Sequence, residues 1–340
     1  MIDLRSDTVT KPTAAMRRAM ADAEVGDDER DGDPTMQRLE HRVAELLGKD
    51  EALFFPSGCM ANQAAIWALT EPATEVYLDA DAHIIHWELA GAAAMSGVQI
   101  KPITASRVVF SADDLEATLR PPSKYYPAAS LVCVENTHNG AGGRITPRAE
   151  LRRIQQVARR HRLPVHMDGA RLWNASVASG DSLSEIASTV DTVMVAFSKG
   201  LGAPIGAAVA GPKDVMEEVW TARKLFGGAM RQSGMLAAAA LHALDQHMDR
   251  LADDHANAQL LAKALDGAGG CTVVPPDTNI VMIDLPPGRK TDPIVDAARK
   301  GGVAVSEWSA TRIRLVTHLD VSAADCRKAA DVMARALSSK

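Results

Sequence analysis

Leu163-Pro164-Val165-His166-Met167-Asp168-Gly169-Ala170-Arg171 is a short apolar run that ends on a carboxylate and turns at a glycine. It reads as a buried strand of an α/β sheet. Its aspartate then lies at the carboxyl edge, where open sheets of this class bind ligands. Neighbouring stretches fit the same scheme. Residues 192–197 read as a buried strand that breaks at Ser198-Lys199-Gly200. Residues 52–55 form another, which stops at Pro56-Ser57-Gly58 and opens into a helix through Ala61, Ala65, Ile66 and Leu69. Residues 76–78, 130–134 and 206–210 complete the set of apolar runs. Between them Leu151, Ile154, Val157 and Ala158 recur at helical spacing after Pro147, which a first helical turn tolerates. Short apolar runs alternating with longer amphipathic stretches predict an α/β fold.

The chain has 340 residues, more than one core usually serves, so two domains are expected. The boundary is placed in the alanine- and leucine-rich helical stretch 235–263. That gives residues 1–248 as an N-terminal segment plus large domain, and 249–340 as a small C-terminal α/β domain. A net charge of −6 gives no electrostatic reason to expect nucleic acid or an anionic membrane as partner. No apolar run approaches a membrane span, and the first residues carry Asp3, Arg5 and Asp7 where a signal peptide needs an apolar core. Cys59, Cys133, Cys271 and Cys326 are scattered and form no CxxC pair, so neither a metal site nor a disulfide framework is indicated. A reduced, cytoplasmic setting is the expectation.

Three segments together specify a cofactor. Ser57-Gly58-Cys59, at a strand-to-helix turn, offers backbone N–H groups and a helix N-terminus to a phosphate. Asp168 at a strand end suits a pyridine nitrogen, which its charge would keep protonated. Lys199, followed by Gly200 and Gly202, offers an amine for an imine bond, with glycines leaving room around it. Pyridoxal phosphate requires all three. Arg171 presents a planar fork suited to a carboxylate. His83, just past the strand 76–78, suits a ring stacked on the cofactor face and able to move a proton.

With these residues in view, the chain resembles the low-specificity L-threonine aldolases, PLP enzymes of fold type I. The resemblance runs through residues 3–10 (Asp-Leu-Arg-Ser-Asp-Thr-Val-Thr), 135–139, 166–171, 198–204, 227–234 and 314–320. It implies a PLP-dependent transferase-like fold, with a mostly parallel seven-stranded sheet in the large domain. It further implies a carbon–carbon lyase that cleaves L-threonine, L-allo-threonine and related β-hydroxy-α-amino acids to glycine and an aldehyde. By the same resemblance Lys199 bonds the cofactor, Asp168 pairs with its nitrogen, His83 stacks on it, and Gly58 and Cys59 contact its phosphate. Ser6, Arg171 and Arg314 hold the substrate carboxylate. Arg231 reaches the phosphate from a neighbouring subunit, implying a homodimer with shared sites and a homotetramer built from two dimers.

Three positions depart from the pattern. Cys59 stands where threonine is frequent, Arg30 where relatives have tyrosine, and Tyr125 where many have a second histidine. Tyr125 is expected to meet the β-hydroxyl, and Trp87 to favour a bulkier aldehyde such as benzaldehyde. An aminotransferase or β-eliminase on the same fold, and a PLP-free scaffold, are the competing readings.

Overall fold

The run read from residue 163 becomes the strand Val165–Gly169, and all five of its residues are buried. A strand with both faces covered belongs to the middle of a parallel sheet. Its glycine has a steric reason. A Cβ on Gly169 would sit 2.5 Å from the Met194 carbonyl oxygen of the adjacent strand.

The computed structural model describes residues 1–339. In chain order the strands are β1 (Ile2–Asp3), β2 (Glu51–Phe55), β3 (Glu75–Asp79), β4 (Gln99–Ile103), β5 (Ala129–Glu135), β6 (Val165–Gly169), β7 (Thr192–Ala196) and β8 (Ala207–Gly211). Then follow β9 (Thr272–Val274), β10 (Ile280–Asp284), β11 (Val303–Ala304), β12 (Ser306–Ser309) and β13 (Arg312–Val316). The large sheet has seven strands in the order β2-β8-β7-β6-β5-β3-β4. Its inner pairs, β3 with β4 and β5, β5 with β6 and β6 with β7, are parallel, while β8 runs against both its neighbours. The expected mostly parallel seven-stranded sheet is present.

The edge strand β4 escaped the sequence reading. It carries Gln99, Lys101 and Pro102 and is largely exposed, and proline is tolerated where one side of a strand needs no partner. Two helices illustrate how the sheet is flanked. Gly58–Leu69 is capped by Ser57, whose Oγ accepts from the Met60 N–H at 3.2 Å. Arg148–Arg160 buries Leu151, Ile154, Val157 and Ala158, the stripe its sequence predicts, with Pro147 at the cap position.

The expected helical stretch 235–263 is two helices, Gly234–Gln246 and Leu251–Leu265. The first packs into the large core with Ala237, Ala239, Ala240 and Ala243, whereas the second supplies Ala258, Leu261 and Leu265 to a separate core. That second core covers the antiparallel sheet β12-β13-β10-β9. It also takes in Leu4, because β1 pairs in parallel with β11. The first residues, through Leu4, thus pack with this second core. No helix among the described residues is long and apolar enough to cross a membrane.

Candidate active site

The parallel strands deliver their carboxyl ends to one edge, and the chemistry collects there. Asp168 is the last residue but one of β6, Lys199 follows β7, Asn139 follows β5, and His83 begins a short turn of helix after β3. Ser6, His83, Trp87, Arg171, Lys199 and Arg314 line one cavity of about 180 Å³, together with Thr8, Asn139 and Trp308. A hollow of about 450 Å³ along residues 106–113 and 144–153 is larger yet holds none of these groups. Chemistry, rather than size, marks the site.

Asp168 is buried and accepts from the Ala170 N–H at 3.0 Å and the Asn62 amide at 2.9 Å. Burial alone would raise its pKa, but the positive charges of His83 and Lys199 and these two donors hold it below the usual carboxylate range. The same Asn62 nitrogen donates to Glu88 Oε1 at 2.9 Å, and Glu88 Oε2 accepts from Gln63 at 2.6 Å. His83 Nδ1 lies 2.9 Å from Glu88 Oε1. Although burial works against it, this Glu88 contact, with Asp168 nearby, raises the His83 pKa. Asn62 Oδ1 faces His166 Nε2 at 3.2 Å, and the other ring nitrogen of His166 meets Thr192 Oγ1 at 2.9 Å. Burial depresses that imidazole to about 4, so it is neutral.

Lys199 lies in the same field. Burial and the neighbouring Arg171 guanidinium depress its pKa, against the pull of Asp168 and Asp7. A depressed lysine has more free amine at neutral pH and is a better nucleophile. Gly200 serves packing more than access. A Cβ there would meet Leu251 Cδ2 at 2.9 Å and Asn174 Oδ1 at 3.2 Å.

The two arginines divide their roles. Arg171 Nε and Nη2 are both bonded to the Asp7 carboxylate, and Nη1 donates to Asn139 Oδ1 at 3.2 Å. Its fork is therefore filled from within the chain. Arg314 has no carboxylate partner among the described residues. Nη1 donates to Asn139 Oδ1 at 3.0 Å, Nη2 to the Arg5 carbonyl at 3.3 Å, and Nε is buried without an acceptor. Burial and Arg171 push its pKa down to about 10. A part-buried guanidinium with no carboxylate partner at a cavity wall calls for an anion.

The residues suit pyridoxal phosphate. Asp168 and Glu88 are two buried carboxylates served by one histidine and one lysine, and Asp168 makes no ion pair among the described residues. That cluster has room for a further positive charge, such as a protonated pyridine nitrogen. The helix beginning at Gly58 leaves its first N–H groups without helical partners, as a phosphate site requires. Cys59 sits in that first turn; burial, with Glu88 and Asp168, raises its thiol to about 11. It stays a neutral thiol there.

Of the expected residues, Asp168, Gly58 and Cys59 are not part of the cavity's lining, and Tyr125 and Arg231 lie on the surface of this chain. Tyr125 is 83% exposed, on the loop between the helix Ala112–Thr118 and β5. Arg231 is bonded to Asp27 at 3.2 Å and Glu29 at 2.8 Å on the surface. Arg30 likewise lies outside, 3.7 Å from Asp27. Conversely, Asp7, Asn62, Glu88 and Trp308 were not singled out by sequence. Asp7 stood in the quoted opening string and Glu88 five residues past His83, so both had a signal; Asn62 and Trp308 had none.

A family model described as beta-eliminating lyase matches residues 3–286. The chain is 38% identical over 332 residues to a low-specificity L-threonine aldolase of Arabidopsis thaliana, covering 95% of this chain and 93% of that one. It is also 38% identical to the low specificity L-threonine aldolase of Escherichia coli K12, over 95% of each chain. Its fold matches a solved structure of Leishmania major threonine aldolase with a TM-score of 0.84, at 20% identity, covering 99% of this chain and 100% of that one. With the lysine and the aspartate at one sheet edge and Arg314 of β13 lining the cavity beside the lysine, these matches place the chain in the beta-eliminating lyase family, among the low-specificity L-threonine aldolases.

Proposed function

We propose that the protein is a pyridoxal-phosphate aldolase that cleaves L-threonine, L-allo-threonine and related β-hydroxy-α-amino acids to glycine and an aldehyde. The observation that carries this reading is one cavity lined by both Lys199 and Arg314, with the buried Asp168 carboxylate in the charge field of that lysine. The cofactor, when bound, supplies the electron sink that makes a Cα–Cβ bond breakable. The chain supplies the rest. Lys199 would hold it through its amine, Asp168 would face its nitrogen, His83 its ring, and the Gly58–Cys59 turn its phosphate.

Arg314 binds the substrate carboxylate, with Ser6 beside it. Arg171, fixed by Asp7, holds Asn139 in reach of both arginines and adds positive field. Fixing the carboxylate at one end of the cavity fixes which Cα bond is presented for cleavage. The β-hydroxyl proton needs an acceptor, and His83 fits: its ring lines the cavity and Glu88 steadies Nδ1.

We extend the proposal to assembly and location. Arg231, paired with Asp27 and Glu29 on the surface of one chain, would serve a second copy's phosphate in a working unit that is a homodimer paired into a homotetramer, in the cytoplasm. The deciding experiment is the visible absorbance of the purified protein, followed by acetaldehyde release from L-threonine. Cofactor absorbance with acetaldehyde supports the reading. Absorbance with keto-acid-dependent turnover and no aldehyde points to an aminotransferase, and no absorbance after adding pyridoxal phosphate defeats the cofactor assignment.

A further inference from the structure

The cavity has an aromatic wall, contributed by both domains. Trp87 caps the His83–His86 turn of the large domain, and Trp308 lies on β12 of the small domain. Their ring centroids are 5.8 Å apart at an interplanar angle of 39°. The Arg314 guanidinium carbon lies 4.6 Å over the Trp308 ring, so the cation that awaits a carboxylate rests on this indole. On their far side the same two indoles line an outer cleft of about 560 Å³, with Asp81, His86, Asp284 and Arg312. The pair is a partition between the cavity and that cleft.

Among the described residues, Trp87 and Trp308 are the only apolar side chains lining the cavity. A substrate whose carboxylate meets Arg314 and whose amine meets the Lys199 side has one kind of wall left for its β-substituent. We infer that Trp87 and Trp308 together form the β-substituent subsite and that it selects flat aromatic groups, making β-aryl-β-hydroxy-α-amino acids better substrates than threonine. The inference rests on the aldolase reading and specifies its substrate class. An aryl ring joins the indoles edge-on or offset at the usual aromatic spacing, since the gap between them is too small to admit a ring between. Trp308, on β12, is thus a specificity-determining residue, and small alkyl substituents make less contact with the indole pair.

The test compares kcat/KM for phenylserine and L-threonine in the parent holoenzyme and in Trp308→Ala, Trp308→Phe and Trp87→Ala. Each alanine variant is expected to lower the phenylserine-to-threonine ratio about tenfold, the scale of one lost aromatic contact in a pocket. Trp308→Phe should keep most of the parent's ratio. A second readout needs no turnover: the far-ultraviolet exciton couplet of a close tryptophan pair should vanish equally in both alanine variants. Equal losses on both substrates would mean that Trp308 merely supports Arg314, and would overturn the subsite, as would an unchanged ratio. A parent that cleaves neither substrate removes the aldolase reading itself; one that cleaves threonine with its ratio unmoved in every variant removes the subsite alone.

Discussion

Asp7 grips Arg171 through both carboxylate oxygens, Oδ2 to Nε at 2.7 Å and Oδ1 to Nη2 at 2.8 Å, and both residues are buried. Asn279 adds a third bond to Oδ2 at 3.2 Å. The residue that looked free to bind substrate is held by the chain's own opening segment. Removing one member of a buried pair leaves the other charge unpaired, a loss of about 3–5 kcal/mol. Asp7→Asn should therefore lower stability by that order in denaturant titration. It should also raise KM, because Asn139 loses its fixed neighbour. The pair holds the Asp7 pKa far below its unfolded value. Its contribution is thus present above the ordinary carboxylate range and is lost as pH falls through the folded value. Asp7→Asn should flatten the acid limb of stability.

Glu88 bears on the proton chemistry. Its contact raises the His83 pKa, and a proton acceptor must be neutral to act. Glu88→Gln should move the acid limb of the kcat–pH profile to lower pH, because the imidazole then loses its proton more readily. An unmoved limb would show that another group titrates there.

Arg314 offers a fork that lysine cannot copy. Charged hydrogen bonds of this kind contribute about 1.5–3 kcal/mol, so Arg314→Lys should reduce kcat/KM roughly ten- to a hundredfold. The cofactor's visible absorbance should persist, since in the proposed arrangement the arginine would meet the substrate and not the cofactor. Steady-state kinetics beside a spectrum of the same sample decides it.

His166 sets a stability window. Burial pushes its pKa down to about 4, from the ordinary imidazole value of about 6.5. A folded pKa below the unfolded one means the unfolded chain binds the proton first. Stability therefore falls as pH drops from 6.5 toward 4, by about 3 kcal/mol for this group. His166→Gln should lose that pH dependence while paying a fixed cost at neutral pH, readable by denaturant melts across the window.

The inner sheet was legible because its strands are short apolar runs bounded by glycine and proline, and the Asp168 and Lys199 ends carry their chemistry in adjacent residues. What escaped was long-range. The partnership of Asp7 with Arg171 spans most of the large domain, Asn62 hides on a helix face among alanines, and Trp308 sits on a β-strand with no motif around it. The edge strand β4 lacked the apolar pattern because solvent covers much of it. Tyr125 was tied to the site by alignment alone, and its loop faces outward in this chain.

The parallel pairing of Ile2 and Asp3 with Val303 and Ala304 sets a timetable for synthesis. At roughly 5–20 residues per second, the opening segment waits on the order of 15–60 s for its partner strand. Throughout that interval Leu4 has no second core to enter, even after Asp7 has gained Arg171 as a partner. The carboxylate-binding end of the site is consequently the last part of the enzyme to exist, and a ribosome stalled before residue 303 would leave a protein with its lysine and aspartate in place but no closed pocket for a substrate.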